Sequence, residues 1–177
     1  MLREKQPIWL TLLPTTISLT RAALALVFYN LLILESPFLI PTYLIICTSD
    51  VLDGWLARFL NASSNSGVLI DASADFLVLG LGFFHYADLG FLSFLLLFLM
   101  SASFIQYVIT LKSPICDPLG KFVGTVLYIL LALTMLFPNE PTRFIITVVG
   151  VIYVSASVVS RLNRLIICNQ RSRAQAL

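Results

Sequence analysis

The sequence predicts an all-α integral membrane protein with six transmembrane helices and a short N-terminal interfacial helix. Of its 177 residues, 59% are hydrophobic and 11% are charged, against about 45–50% and about 25% in an average soluble domain. The mean hydropathy is +0.96. The apolar runs approach the length of a bilayer-crossing helix and do not alternate in polarity as barrel strands do. Together, these observations exclude a soluble globule, a disordered chain and a disulfide-stapled secreted scaffold.

Turn-forming residues divide the apolar sequence into six predicted spans. The spans are placed at 16–34, 38–60, 67–87, 90–111, 119–137 and 143–165. The turns between them are Glu35-Ser36-Pro37, 61–66, Asp88-Leu89-Gly90, Ser113-Pro114 with Asp117-Pro118, and 138–141.

The two ends of the chain are predicted to lie outside the spans. Residues 1–13, with Trp9 at headgroup depth, predict the interfacial helix. The alternative is that they form the start of the first span. Residues 14–165 would hold the six spans and 166–177 a cytoplasmic tail, so that 1–177 form a single membrane-embedded domain.

The cations predict the orientation of the chain in the bilayer. With six spans, ten of the eleven Lys and Arg residues fall on one side and Arg143 alone falls on the other. Because cytoplasmic loops are rich in Lys and Arg, both termini are expected in the cytoplasm. The net charge of +2 is too small to suggest a nucleic-acid partner.

Four aspartates inside the second and third spans are the main functional signal. They are Asp50, Asp53, Asp71 and Asp75. A carboxylate at the bilayer centre costs about 2.5–3.5 kcal/mol on insertion scales, so intramembrane acids are functional by default. Each pair has a spacing of three or four residues, which places it on one helix face.

These carboxylates are expected to converge in one metal site. The short connection 61–66 makes the two spans antiparallel neighbours. The one arginine of the segment, Arg58, cannot balance four negative charges, whereas hard divalent cations with oxygen ligands can. A carboxylate set favours magnesium or manganese over zinc. Gly54 and Ala57 share a face with Asp50 and Asp53, where they leave room for a flat group or allow a close helix contact.

The same residues resemble the signature of the CDP-alcohol phosphotransferases. That signature is D-x-x-D-G-x-x-A-R, a short gap, then G-x-x-x-D-x-x-x-D, and all eight fixed positions are present between Asp50 and Asp75. Residues 14–21 resemble the family's opening of the first span. Gly120-Lys121 resembles its G-K element, although Gly124 stands where Thr is usual and Thr125 comes one residue later.

The resemblance implies a displacement at phosphorus. A CDP-linked lipid similar to CDP-diacylglycerol would be the donor, a small polar alcohol would attack, and CMP would leave. Asp75 would be the general base, and two Mg²⁺ or Mn²⁺ ions would be held by the four aspartates. The family also suggests a homodimer. By motif position, the CDP-binding residues would be Asp50, Gly54, Ala57, Arg58 and Gly67.

Four cations near the predicted cytoplasmic face are candidates for binding a phosphate on the acceptor. They are Arg21, Lys121, Arg161 and Arg164. The alternative is that they anchor the chain at lipid headgroups. They favour glycerol 3-phosphate as acceptor, with inositol phosphate, inositol and serine left open.

The sequence is also compatible with two functions of other classes. The four aspartates could line the path of a small cation transporter or channel, but residues 77–84 continue the third span without polar groups. A non-catalytic assembly subunit is the other alternative, which the intact signature disfavours.

Overall fold

The computed structural model describes residues 8–59, 65–111, 120–137 and 139–175. Within these ranges the chain is helical, with no strand, and each of the six predicted spans overlaps one α-helix. The helices are α1 (Ile8–Ile33), α2 (Leu39–Phe59), α3 (Asn65–Asp88), α4 (Phe94–Thr110), α5 (Val123–Leu136) and α6 (Glu140–Gln175), with a 3₁₀ helix at Gly120–Phe122 before α5. The all-helical class and the order of the helices are therefore confirmed.

The first and last helices are longer than predicted. α1 begins at Ile8 and continues through Pro14 without a break, so residues 8–13 belong to the same helix as the first predicted span instead of forming a separate one. This matches the alternative prediction, and residues 1–7 lie outside the described ranges. α6 continues to Gln175 because the predicted tail up to that point has no Gly or Pro to end it. Most of the predicted tail is thus helical.

Two predicted turns are confirmed by their backbone hydrogen bonds. After α1, Glu35 adopts a φ of 47°, and the Ser36 N–H donates to the Leu31 carbonyl at 3.1 Å. This left-handed helix end reverses the chain into α2. After α3, Gly90 adopts a φ of 73°, a conformation that glycine reaches without a steric cost.

Two stretches of the described chain are long and apolar enough to cross a membrane, Gly67–Asp88 and Glu140–Ile167. An apolar window of 18 residues in each stretch is 28% buried, whereas the core helix of a soluble protein is mostly buried. The other helices contain shorter apolar segments of 10–17 residues, at Ser18–Ile33, Leu39–Leu52, Phe94–Thr110 and Gly120–Leu136. Crossing of the membrane by all six helices remains a prediction.

The chain divides into two compact units, the first comprising Met1–His85. In this unit the buried face of α1 repeats every three or four residues, as helix packing requires. Its apolar part holds Ala25, Phe28 and Leu32. Phe28 packs on Tyr43 of α2 with ring centroids 5.7 Å apart. Buried apolar residues thus hold α1 and α2 together along the part of the interface that follows Arg21.

The second unit comprises Tyr86–Leu177. Here α6 packs against α4 and α5, and Gly150 lies at the contact. A β-carbon added at Gly150 would lie 3.0 Å and 3.2 Å from the two methyl carbons of Leu96 and 3.3 Å from a methyl carbon of Leu130. Gly150 therefore permits the close packing of three helices.

We expect Gly150→Val to destabilise the protein, because its side chain would force Leu96 and Leu130 out of place. Overpacking of this kind costs about 1–3 kcal/mol. Gly124→Val is the matched control, since a β-carbon there meets nothing within 4 Å. Thermal unfolding of the two variants in the same detergent checks this. Equal midpoints would contradict the packing described here.

Candidate functional site

A buried arginine on α1 begins the candidate site. Arg21 is 0% exposed and Ser18, one turn earlier, is 3% exposed. Both residues continue the inward stripe formed by Ala25 and Phe28, with spacings of three or four residues. In the part of α1 whose side chains the structure describes, this inward face is therefore apolar from Ala25 onwards and polar at Ser18 and Arg21.

The facing helices change from apolar to polar in the same way. On α2, Tyr43 and Ile46 are buried, and Asp50 follows one turn later. On α3, Asp71 and Asp75 precede the buried Val78 on the same side of the helix. The helical period thus directs the three carboxylates into the first unit beside Arg21.

One nitrogen of Arg21 contacts all three carboxylates. Arg21 Nη1 lies 2.8 Å from Asp71 Oδ1, 2.8 Å from Asp75 Oδ1 and 3.1 Å from Asp50 Oδ1. Ser18 Oγ donates to Asp71 Oδ1 at 3.4 Å, and Arg21 Nε donates to Ser49 Oγ, also at 3.4 Å. The convergence of Asp50, Asp71 and Asp75 predicted from the sequence is therefore present in the structure.

The same three carboxylates fit a metal ion by their chemistry. Each offers an oxygen, and the three oxygens lie within 4.8 Å of one another. Their side chains are 24–39% exposed, whereas Arg21 is fully buried. The carboxylates are therefore accessible to an ion, although the guanidinium is not. All-oxygen ligand sets suit hard divalent cations such as magnesium and manganese.

Four other predicted site residues lie on α2 beyond Asp50. The helix includes their positions, but their side chains are outside the part of the chain that the structure describes. These residues are Asp53, Gly54, Ala57 and Arg58. Gly67, the remaining predicted CDP-binding residue, lies in the first turn of α3 and is partly exposed.

The structure divides the four cations predicted to bind an acceptor phosphate between the two units. Arg21 contacts the aspartates of the first unit, while the other three belong to the second. Lys121, in the 3₁₀ helix, is exposed and lies 5.7 Å from the centre of the Phe122 ring. On α6, Arg161 is 7% exposed and lies 5.6 Å from the centre of the Tyr107 ring, while Arg164 is exposed.

The ion cluster around Arg21 was not predicted from the sequence. Arg21 was expected to bind an acceptor phosphate, and Arg58 was the one cation considered beside the aspartates. The available signal was the position of Arg21 on the inward stripe of α1, because an arginine there requires carboxylate partners.

Two buried polar residues of the second unit were also missed as site candidates. Gln106 Oε1 on α4 and Ser157 Oγ on α6 are buried without a hydrogen-bond partner. Ser157 precedes Arg161 by one turn, and Gln106 precedes Tyr107. Buried polar groups on α4 and α6 therefore lie close in sequence to Tyr107 and Arg161, which contact each other.

Comparison with known proteins identifies the family. The family model described as CDP-alcohol phosphatidyltransferase matches residues 11–162, which include parts of both units, while no curated protein matches the sequence. Family members are membrane proteins that transfer a phosphatidyl group from a CDP-alcohol to an acceptor, and they generally use divalent metals. Since the match extends over well more than half of the chain, this protein belongs to the CDP-alcohol phosphatidyltransferase family.

Proposed function

We propose that this protein is a metal-dependent phospholipid-synthesis transferase. It moves a phosphatidyl-type group from a CDP-diacylglycerol-like lipid to the hydroxyl of a small polar acceptor and releases CMP. The observation that carries the proposal is the convergence of Asp50, Asp71 and Asp75. These three aspartates of the family signature come from two helices, and their oxygens lie within 4.8 Å of one another.

The four signature aspartates would hold the metal, which we propose to be two Mg²⁺ or Mn²⁺ ions. Asp50, Asp71 and Asp75 provide the converging oxygens, and the signature adds Asp53. When bound, divalent ions neutralise the donor diphosphate and stabilise the attacking and leaving oxygens. A diphosphate at the edge of an apolar protein needs such neutralisation, because unpaired charge is costly there.

The residues after Asp50 are proposed to bind the CDP part of the donor. Gly54 and Ala57 carry little or no side chain, so a flat cytosine could approach the α2 backbone closely. Arg58 supplies a positive charge for a phosphate, and guanidinium groups bind phosphate oxygens well. Asp50 and Gly67 complete the set by their positions in the signature.

Asp75 is proposed as the general base. Its carboxylate is 24% exposed, so an acceptor could approach it. As the acceptor oxygen bonds to the donor phosphorus, the bond from this phosphorus to the CMP oxygen breaks and Asp75 takes the hydroxyl proton. A positioned base contributes about 10²–10⁴-fold to such a reaction.

The acceptor is proposed to be glycerol 3-phosphate, because the cations favour a phosphorylated alcohol. Inositol phosphate is the phosphorylated alternative, and inositol and serine are the alternatives without a phosphate. Lys121, Arg161 and Arg164 supply positive charge in the second unit, and the 3₁₀ helix that carries Lys121 contacts α6. The unpartnered oxygens of Gln106 and Ser157 add groups suited to the hydroxyls of a small polyol.

The remaining parts of the proposal concern the setting of the enzyme. The distribution of Lys and Arg supports six spans with both termini and the aspartate site facing the cytoplasm. There a water-soluble acceptor and a bilayer lipid can meet. The family resemblance supports a homodimer. A cation path is not supported, because the buried residues that follow Asp75 on α3 in the first unit, Val78, Leu79 and Phe83, are apolar.

The metal site predicts a direct binding result. Asp71→Asn and Asp75→Asn should each lower the affinity for Mn²⁺ at least about tenfold, because each removes a charged ligand. Mn²⁺ titration followed by electron paramagnetic resonance measures this in nanodiscs. Glu140→Gln is the matched control, since Glu140 is an exposed carboxylate paired with Arg143. Unchanged affinity in both aspartate variants would contradict the proposed metal site.

CMP release tests the proposed reaction. With Mg²⁺ or Mn²⁺, CDP-diacylglycerol and glycerol 3-phosphate, the wild-type protein should release CMP and form a new phospholipid. Asp75→Asn should lower the rate by about 10²–10⁴-fold, and Glu140→Gln should leave it unchanged. Absence of CMP release with all four acceptors (glycerol 3-phosphate, inositol phosphate, inositol and serine) would refute the proposal.

The cations of the second unit predict an effect confined to the acceptor. Lys121→Gln and Arg164→Gln should raise KM for a phosphorylated acceptor about tenfold and leave KM for the CDP-lipid nearly unchanged, because each removes a charge-assisted contact. Both side chains are exposed, so the variants should fold. Arg143→Gln is the control. If the two cations only anchor the chain at headgroups, neither KM will change specifically.

A further inference from the structure

The position of Arg21 Nη1 has a consequence for metal binding. This one nitrogen lies 2.8–3.1 Å from an oxygen of Asp50, Asp71 and Asp75. The same three residues supply the oxygens that lie close enough together to share a cation. The guanidinium and a divalent ion therefore seek the same group of carboxylates.

We propose that Arg21 is a built-in counter-ion that a divalent cation must displace from Asp50, Asp71 and Asp75. The inference rests on the metal site of the proposed function. An Nη nitrogen carries only two hydrogens, so the three carboxylate oxygens beside Arg21 Nη1 share the two donors of that nitrogen. Because like charges repel strongly at short range in a poorly hydrated site, the ion and the guanidinium cannot both stay at these oxygens.

The surroundings explain why Arg21 occupies this position. Its side chain is fully buried on the inward face of α1, where an unpaired charge would be very costly. The three carboxylates would in turn repel one another without a cation. With Arg21 included, the cluster has a formal charge of −2. The guanidinium thus holds the carboxylates together but leaves an excess of negative charge that attracts a divalent ion.

The cost of displacement should appear in the metal affinity. In Arg21→Gln the ion no longer competes with a guanidinium, so the Kd for Mn²⁺ should fall about tenfold relative to the wild type. The titration uses Mn²⁺ alone, without donor or acceptor, and follows electron paramagnetic resonance. Arg143→Gln is the matched control, because Arg143 pairs with Glu140 in the second unit. A Kd that is unchanged or higher in Arg21→Gln would overturn the proposal.

A measurement on the wild-type protein separates displacement from a general effect of charge. Phenylglyoxal modifies accessible guanidinium groups, and mass spectrometry of the Arg21 peptide reports the extent. We expect labelling of Arg21 to be slow without metal and to rise with Mn²⁺ at a midpoint near its Kd. Labelling of Arg143 should stay constant. Arg21 labelling that stays level or falls as Mn²⁺ saturates would overturn the proposal even if Arg21→Gln fails to fold.

The outcomes also distinguish this inference from the proposed function. If Mn²⁺ does not bind the wild-type protein, the proposed metal site fails and the inference fails with it. If Mn²⁺ binds but affinity and labelling do not respond as expected at Arg21, the inference alone fails. CMP release enters neither measurement.

Discussion

The pairing of Arg21 with Asp50, Asp71 and Asp75 is the interaction on which the first unit depends. A fully buried guanidinium is stable only with anionic partners, and carboxylates on apolar helices are stable only with cationic ones. The contact distances of 2.8–3.1 Å show that Arg21 is paired with all three carboxylates. Because these groups come from α1, α2 and α3, the pairing fixes which faces of the three helices meet.

The apolar and polar parts of the same helix faces have separate roles. Phe28 and Tyr43 pack with ring centroids 5.7 Å apart, and dense packing of this kind defines the positions of helices closely. The polar part of each stripe can then hold charges that would repel one another if the helices were free to separate. The apolar packing thus stabilises the helices next to the aspartate cluster, so that the cluster can keep an excess of negative charge.

Helical period and charge placement explain how much was predictable from the sequence. The six helices follow from apolar runs and turn residues, and the convergence of Asp50, Asp71 and Asp75 follows from their spacing and the short connection between two helices. Arg21 contacts Asp71 and Asp75, which follow it in the sequence by 50 and 54 positions. No local pattern encodes such a contact. The start of α1 and the end of α6 were also not predicted. The thickness of a membrane predicts how many residues cross it, but not how far a helix continues outside it.

Arg143 and Arg21 differ in how far their carboxylate partners balance their charge. Arg143 bonds one carboxylate, Glu140, at 2.8 Å, and its guanidinium carbon lies 3.3 Å from the centre of the Phe91 ring. Glu140 is 88% exposed, so water solvates that pair and the two charges cancel. Arg21 instead faces three carboxylates that it cannot neutralise. A second cation lowers the energy of this cluster and would gain little from the other pair. The reason to propose a metal site in this part of the fold is therefore the excess of negative charge that one arginine holds together, and not the number of acids alone.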